Sequence, residues 1–290
     1  MHIPPWPASA ERGRSEVALR FEDITQDGRM VLEVAGQALG QAVWRQLVNG
    51  SPLMRVLRTS TIVPVLSRLR IEGEAGPFAV AGPVSAAGSY GLAHADDGRI
   101  FLLMWGELLA PHAHTYGPTA APDATRARAM RVFAEHVMTR PFGPADERRV
   151  RELPEPMEPV PAEAWNGPAP EALSALPPGA RPLDDAPVLD DAELPFGLIH
   201  TDSNQHVNSL VYLRAFEEAL LRRLRAHGRS TSVLSRVVDV VYRKPFFAGQ
   251  VARVRLQAFE QGGRVGAAGA FVLDGATDAR PHAFVHMLAG

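Results

Sequence analysis

The chain has no cysteine among its 290 residues. Disulfides, a thiol nucleophile and cysteine-held metal are therefore excluded. Lysine is nearly missing too: of 30 basic residues only Lys244 is a lysine, which reads as a compositional bias of the source rather than a function. Charge of one sign is not in excess, since the net charge is −2. Nothing in it points to nucleic acid or an anionic membrane surface as a partner. No stretch approaches the roughly 20 apolar residues of a membrane span. The first twenty residues lack the apolar core of a signal peptide, so a cytoplasmic protein is expected. No glycine-rich phosphate loop occurs, Gly262-Gly263 reading as a hairpin turn. No Gly-x-Ser-x-Gly elbow occurs either, which argues against a serine hydrolase of the α/β type.

What is present is ordinary globular material, 46% apolar and 21% charged, long enough for two domains. Residues 16–34 read as two strands around the turn Thr25-Gln26-Asp27-Gly28-Arg29. Gly36–Val48 reads as a helix with Leu39, Val43, Trp44, Leu47 and Val48 on one face, stopped by Asn49-Gly50-Ser51-Pro52. A β-branched run covers Val56–Glu72. Strand candidates at 78–94 and 99–109 meet at Asp96-Asp97-Gly98, a hairpin turn. A further helix is expected over Asp123–Met138. Pro154–Pro195 then holds eleven prolines and is expected to be an extended connection. Order returns with a short strand at Leu194, a helix, and strands at Val233–Phe247, Gln250–Phe259, Arg264–Leu273 and His282–Leu288. The expected division is a first domain over 1–115, a helix plus proline-rich linker over 116–195, and a second domain over 196–290. Each half repeats one layout, a helix against antiparallel strands.

The chemistry concentrates at one junction. Asp202, Asn204, His206 and Asn208 fall within seven residues, just before a helical pattern carried by Leu210, Leu213, Phe216, Leu220, Leu221 and Leu224. Gly228 follows the basic last turn, where a helix end belongs. A helix start offers unpaired N–H groups and partial positive charge, which suits it to polarise a carbonyl oxygen. Asp, Ser and Asn are also the preferred helix caps, so any one of these residues taken alone reads as a cap.

A long helix wrapped by an antiparallel sheet is the hotdog arrangement. The fold class expected is α+β, two hotdog domains in one chain with their sheets forming a pseudo-dimer. The segment DSNQHVNSLVY, Asp202–Tyr212, resembles the signature of acyl carrier protein thioesterases, Asp-x-Asn-Gln-His-Val-Asn-Asn before the central helix, with Ser209 in place of the last asparagine. It also resembles the 4-hydroxybenzoyl-CoA thioesterase group through Asp202, His206-Val207-Asn208, Tyr212 and Glu217. The stretch Val240–Gly249 looks like that group's next strand. The resemblance implies hydrolysis of an acyl thioester carried by coenzyme A or acyl carrier protein, with no cofactor and no metal. Asp202 is then the general base or the nucleophile, with Asn204, His206 and Glu217 as its catalytic companions. Val207, Asn208, Ser209 and Tyr212 contact substrate, and backbone N–H groups of Val207–Ser209 polarise the carbonyl. One departure stands out. Plant members carry Tyr-Arg-Arg-Glu-Cys on the following strand, whereas here Tyr242-Arg243-Lys244 runs into Pro245-Phe246 and the extra acid is missing.

The first half has no matching set, its helix opening Gly36-Gln37-Ala38-Leu39-Gly40. A single active site per chain is expected, with the first half shaping the acyl pocket through Trp44, Met54, Phe101, Met104 and Trp105. His112 with His114, and His282 with His286, lack placed acidic partners for a metal. Arg222, Arg223, Arg225 and Arg229 complement the helix end. A non-catalytic acyl-binding protein stays open as an alternative. A hydratase of the Asp-x-Asn-Pro-x-His type is disfavoured by the spacing of His206 from Asp202. A monomer or a homodimer is compatible with the sequence.

Overall fold

A computed structural model of the chain describes residues 2–7, 10–121, 123–157, 160–161, 164–275 and 280–290. The chain divides into two compact units, Met1–Gly167 and Pro168–Gly290.

The first unit is built on five antiparallel strands: β1 Gly13–Val17, β2 Val63–Gly73, β3 Val84–His94, β4 Ile100–Ala110 and β5 Ala127–Thr139, in the order β1-β3-β4-β5-β2. The hairpin at Asp96-Asp97-Gly98 is present, with His94 opposite Ile100 and Gly98 at φ 78°. The helix expected from Gly36 spans Ala38–Val48, but its turns are wide: the Asn49 N–H bonds the Trp44 carbonyl five residues back at 2.9 Å. It buries Ala38, Ala42 and Val43 on a floor of glycines. A Cβ at Gly88 would lie 2.4 Å from Val43 Cγ2, and one at Gly106 2.9 Å from Ala38 Cβ.

Two expectations for this unit fail, over 16–34 and 123–138, and the run from Val56 holds as strand only from Val63, in β2. The two strands of 16–34 reduce to their turn, where the Thr25 N–H bonds the Arg29 carbonyl at 2.8 Å and Ile24 bridges Met30. Buried Asp23 accepts the Arg20 N–H at 2.8 Å and closes a 3-10 turn where a strand was expected. The run from Val56 begins as helix α1, Pro52–Thr59. Ser51 caps it by accepting the Met54 N–H, and Pro52 opens its first turn. The expected helix over Asp123–Met138 is strand β5, flanked by β4 and β2. It buries Met130, Val132, Phe133, Ala134 and Met138 on both of its faces. A strand buried on both sides reads as a continuous apolar run and so mimics a helix. The proposed acyl-pocket wall is not one surface either. Phe101 and Trp105 cluster with Ile3, Leu103 and Phe133, while Met104 points to the opposite face of β4.

In the second unit, β6 Arg181–Pro182, β7 Val188–Leu189 and β8 Leu194–Pro195 each pair with β10 Val251–Gln261. The last part of the proline-rich segment, 181–195, thus runs extended along one strand edge, whereas Pro170–Ser174 forms a 3-10 turn. The main sheet runs β9 Ser235–Tyr242, β12 Ala283–Ala289, β11 Arg264–Leu273, β10. Asp184 fixes the proline-rich run: its buried carboxylate accepts from Arg223 Nε at 2.6 Å, from the Ala258 N–H at 2.9 Å and meets His227 Nε2 at 2.7 Å. Burial alone would raise the Asp184 carboxyl, but these partners outweigh it and hold it below the ordinary carboxylate range.

Helix α2, Ser209–Ala226, is the expected amphipathic helix, burying Tyr212, Leu213, Phe216, Leu220 and Leu224. Tyr212 and Phe216 pack on Phe271 of β11, with ring centroids 5.1 and 6.2 Å apart. Leu173 covers the other sheet face with Val241, Ala270 and Phe284. Gly228, at φ 63°, ends the helix as expected. Among the described residues no helix is long and apolar enough to cross a membrane.

Candidate active site

The chain enters α2 through a tight turn over 201–208. Thr201 bridges Val207, the Asp202 N–H bonds the His206 carbonyl at 3.2 Å, and the Gln205 N–H bonds the Asp202 carbonyl at 3.0 Å. Gln205 sits at φ 67°, a left-handed conformation that a non-glycine residue adopts at a cost of about 1 kcal/mol or more. Local strain of this sort persists where surrounding bonds over-determine the backbone. Here two ties do so: the Val207 N–H bonds the Phe246 carbonyl at 2.8 Å, and the Asn208 N–H bonds the His200 carbonyl at 2.9 Å.

The turn brings Asp202, Asn204 and Asn208 together. One Asp202 oxygen accepts the Asn204 N–H at 2.8 Å and the other accepts Asn208 Nδ2 at 3.3 Å. A carboxylate offers roughly four lone-pair sites, so acceptor capacity remains on both oxygens. Asn208 does double duty, because its Oδ1 caps α2 by accepting the Leu210 N–H at 2.9 Å. Ser209 stands at the first helical position. Among the described residues its N–H meets no acceptor, whereas the Val207 and Asn208 N–H groups are both spent on backbone carbonyls. Of the three N–H groups expected to polarise a carbonyl, one is open.

The other candidates lie differently. Among the described residues the His206 imidazole has one polar contact, at 3.4 Å with the Val207 carbonyl, and no hydrogen bond to the Asp202 carboxylate. Glu217 lies two turns along α2, about 12 Å up the axis from Ser209. Its Oε1 accepts the Ser235 N–H at 2.6 Å, tying the helix to the start of β9. Tyr212 is 2% exposed and its hydroxyl accepts the Phe246 N–H at 3.2 Å. Burial pushes that hydroxyl up to about 12. His282 stacks on Phe246 at 3.9 Å, and burial lowers its pKa. Among the described residues no group of three or more His, Asp or Glu side chains is placed to hold a metal ion.

Sequence reasoning missed Tyr242 and Phe246. Tyr242 Oη donates to the Ser209 carbonyl at 2.9 Å, and Phe246 uses both of its backbone polar groups on the site's own elements. The signal was in Val240–Gly249, a stretch that drew notice for the acid it lacks rather than for the tyrosine it keeps.

No family model matches the sequence, and no curated protein does. Solved structures match over nearly the whole chain. A provisionally named oleoyl thioesterase from Lactobacillus plantarum is 16% identical with a TM-score of 0.62, covering 97% of each chain. An acyl-ACP thioesterase from Bacteroides thetaiotaomicron VPI-5482 is 14% identical with a TM-score of 0.60, covering 96% of this chain and 98% of that one. A 12:0-ACP thioesterase from Umbellularia californica is also 14% identical at 0.60, covering 96% and 94%. At such identities the likeness is one of fold. The chain has the α+β double-hotdog fold expected from its layout.

Proposed function

We propose that the chain is a thioesterase acting on an acyl group carried by coenzyme A or by acyl carrier protein, cytoplasmic and part of fatty acid metabolism. The observation that carries this reading is the Asp202 carboxylate, hydrogen-bonded by the Asn204 N–H and by the side chain of Asn208, the residue before the open N–H of Ser209, yet with acceptor sites to spare. The shared fold with proteins named as thioesterases supports it. In this reading a water held on a free lone pair of Asp202 attacks the thioester carbon and passes its proton to the carboxylate. The carbonyl oxygen takes up the electron pair and is met by the Ser209 N–H. Collapse then breaks the carbon–sulfur bond, and the proton on Asp202 goes to the leaving thiolate. Attack by Asp202 itself gives an anhydride that water opens, with the same products. Asn204 and Asn208 orient the carboxylate, and His206 lines the approach.

A second reading, acyl binding without turnover, is favoured by one fact. Both Asp202 oxygens are already engaged by the turn, as in an Asx turn with no further role. A panel of acyl-CoA and acyl carrier protein thioesters separates the two. Release of free thiol is expected. Saturable binding of the acyl chain with no thiol released supports the second reading and defeats the first.

A further inference from the structure

Two tyrosines stand behind the acid turn with their hydroxyls directed into backbone. Tyr242, at the end of β9, donates Oη–H to the Ser209 carbonyl at 2.9 Å. Tyr212, in the first turn of α2, accepts the Phe246 N–H at 3.2 Å, and the Phe246 carbonyl in turn accepts the Val207 N–H at 2.8 Å. The two rings meet edge to face at 5.3 Å and 87°. Three bonds thus tie residues 242–246 to residues 207–212.

Their effect on Ser209 is specific. The peptide before its α-carbon is held by the Asn208 carbonyl, which accepts the Val211 N–H at 3.0 Å. The peptide after it is held by Tyr242. With both flanking planes anchored, the direction of the open Ser209 N–H is set. The same ties hold Asn208, whose amide reaches Asp202. We propose that Tyr242 and Tyr212 are positioning residues that aim the Ser209 N–H and the Asp202 carboxylate at one thioester carbonyl, the first at its oxygen and the second at its carbon, without touching substrate. This rests on the thioesterase reading of the site and names what keeps it in geometry. Burial raises the Tyr242 hydroxyl well above its ordinary range and that of Tyr212 to about 12, so both stay protonated through the neutral range. Tyr242 therefore remains a donor, and neither is a proton relay.

Displacement of reacting groups by about 1 Å can cost roughly a hundredfold in rate. Tyr242→Phe, which keeps the ring and removes the donor, is expected to lower kcat by about ten- to a hundredfold with KM within about twofold. The pH–kcat profile is expected to keep its shape. Tyr212→Phe, which removes the acceptor for the Phe246 N–H, is expected to do the same and gives an independent second test. Both are measured per folded molecule, with melting temperature recorded alongside. A lowered melting temperature with kcat within about twofold of the unaltered enzyme in both variants overturns the positioning role and leaves the thioesterase reading standing. Loss of one limb of the pH profile also overturns it, because it makes a tyrosine a proton donor. No thiol release by the unaltered protein sinks the thioesterase reading, and the positioning role falls with it.

Discussion

The two central helices share a layout and differ at their first turns. The helix over Ala38–Val48 continues from a 3-10 turn at Leu32–Ala35, so the Gly36 N–H is spent on the Glu33 and Val34 carbonyls and no side chain caps the start. Below it, Gly88 and Gly106 let the backbone settle close to the sheet. Helix α2 instead starts abruptly from extended Asn208, with a side-chain cap, an adjoining carboxylate and an open N–H. An uninterrupted entry satisfies its own donors, while an abrupt one leaves a donor for a ligand. One fold thus carries two helix starts, and the chemistry belongs to the start rather than to the fold.

The comparison breaks most sharply at the acid. Asp202→Asn is expected to lower kcat by roughly 10²–10⁴-fold, the usual contribution of general acid–base catalysis. Glu33→Gln, beside the first helix start, is expected to leave turnover within about twofold, as read by the same thiol-release assay. Next comes packing under the first helix. Gly88→Val drives a side chain into Val43 and toward the Trp105 carbonyl, which a Cβ alone approaches to 3.0 Å. A cost of about 3 kcal/mol is expected by chemical denaturation, with activity per folded molecule kept. Asn208→Ala removes the α2 cap and a bond to Asp202, for about 1 kcal/mol of stability and a fall in kcat. No such pairing of losses is expected from changes at Gln37.

The smallest effects are in pH dependence, and they too divide the units. In the first, burial lowers the His136 pKa from 6.5 to about 4, and its Nδ1 finds no partner among the described residues. The unfolded chain therefore binds the proton more readily. Stability from this group is full above pH 6.5 and lost as pH falls toward about 4. His136→Phe is expected to flatten that slope in melting temperature. In the second unit, Asp184 has a depressed pKa, so its contribution holds above the ordinary carboxylate value and is lost on further acidification. Asp184→Asn is expected to flatten only that lower limb.

Local signals carried much of this architecture. Asp96-Asp97-Gly98, Gln261-Gly262-Gly263 and the Asn208-to-Gly228 span of α2 each depend on residues near in sequence, and the structure has them where they were expected. Strand β5 was illegible because its burial on both faces comes from neighbouring strands. Helix α1 was hidden because Ser51-Pro52, read as a stop, is also a start. At the site, the Asn208 cap and the acid beside it were readable. That the Val207 and Asn208 N–H groups are consumed was not, because the Phe246 and His200 carbonyls reach them only through the fold.

The central claim is tested most directly by following thiol release from an acyl thioester with the unaltered protein and with Asp202→Asn, matched in circular dichroism and melting temperature. Steady release by the first and loss of nearly all of it by the second is the expected result. Equal turnover by both, with the fold intact, contradicts the account.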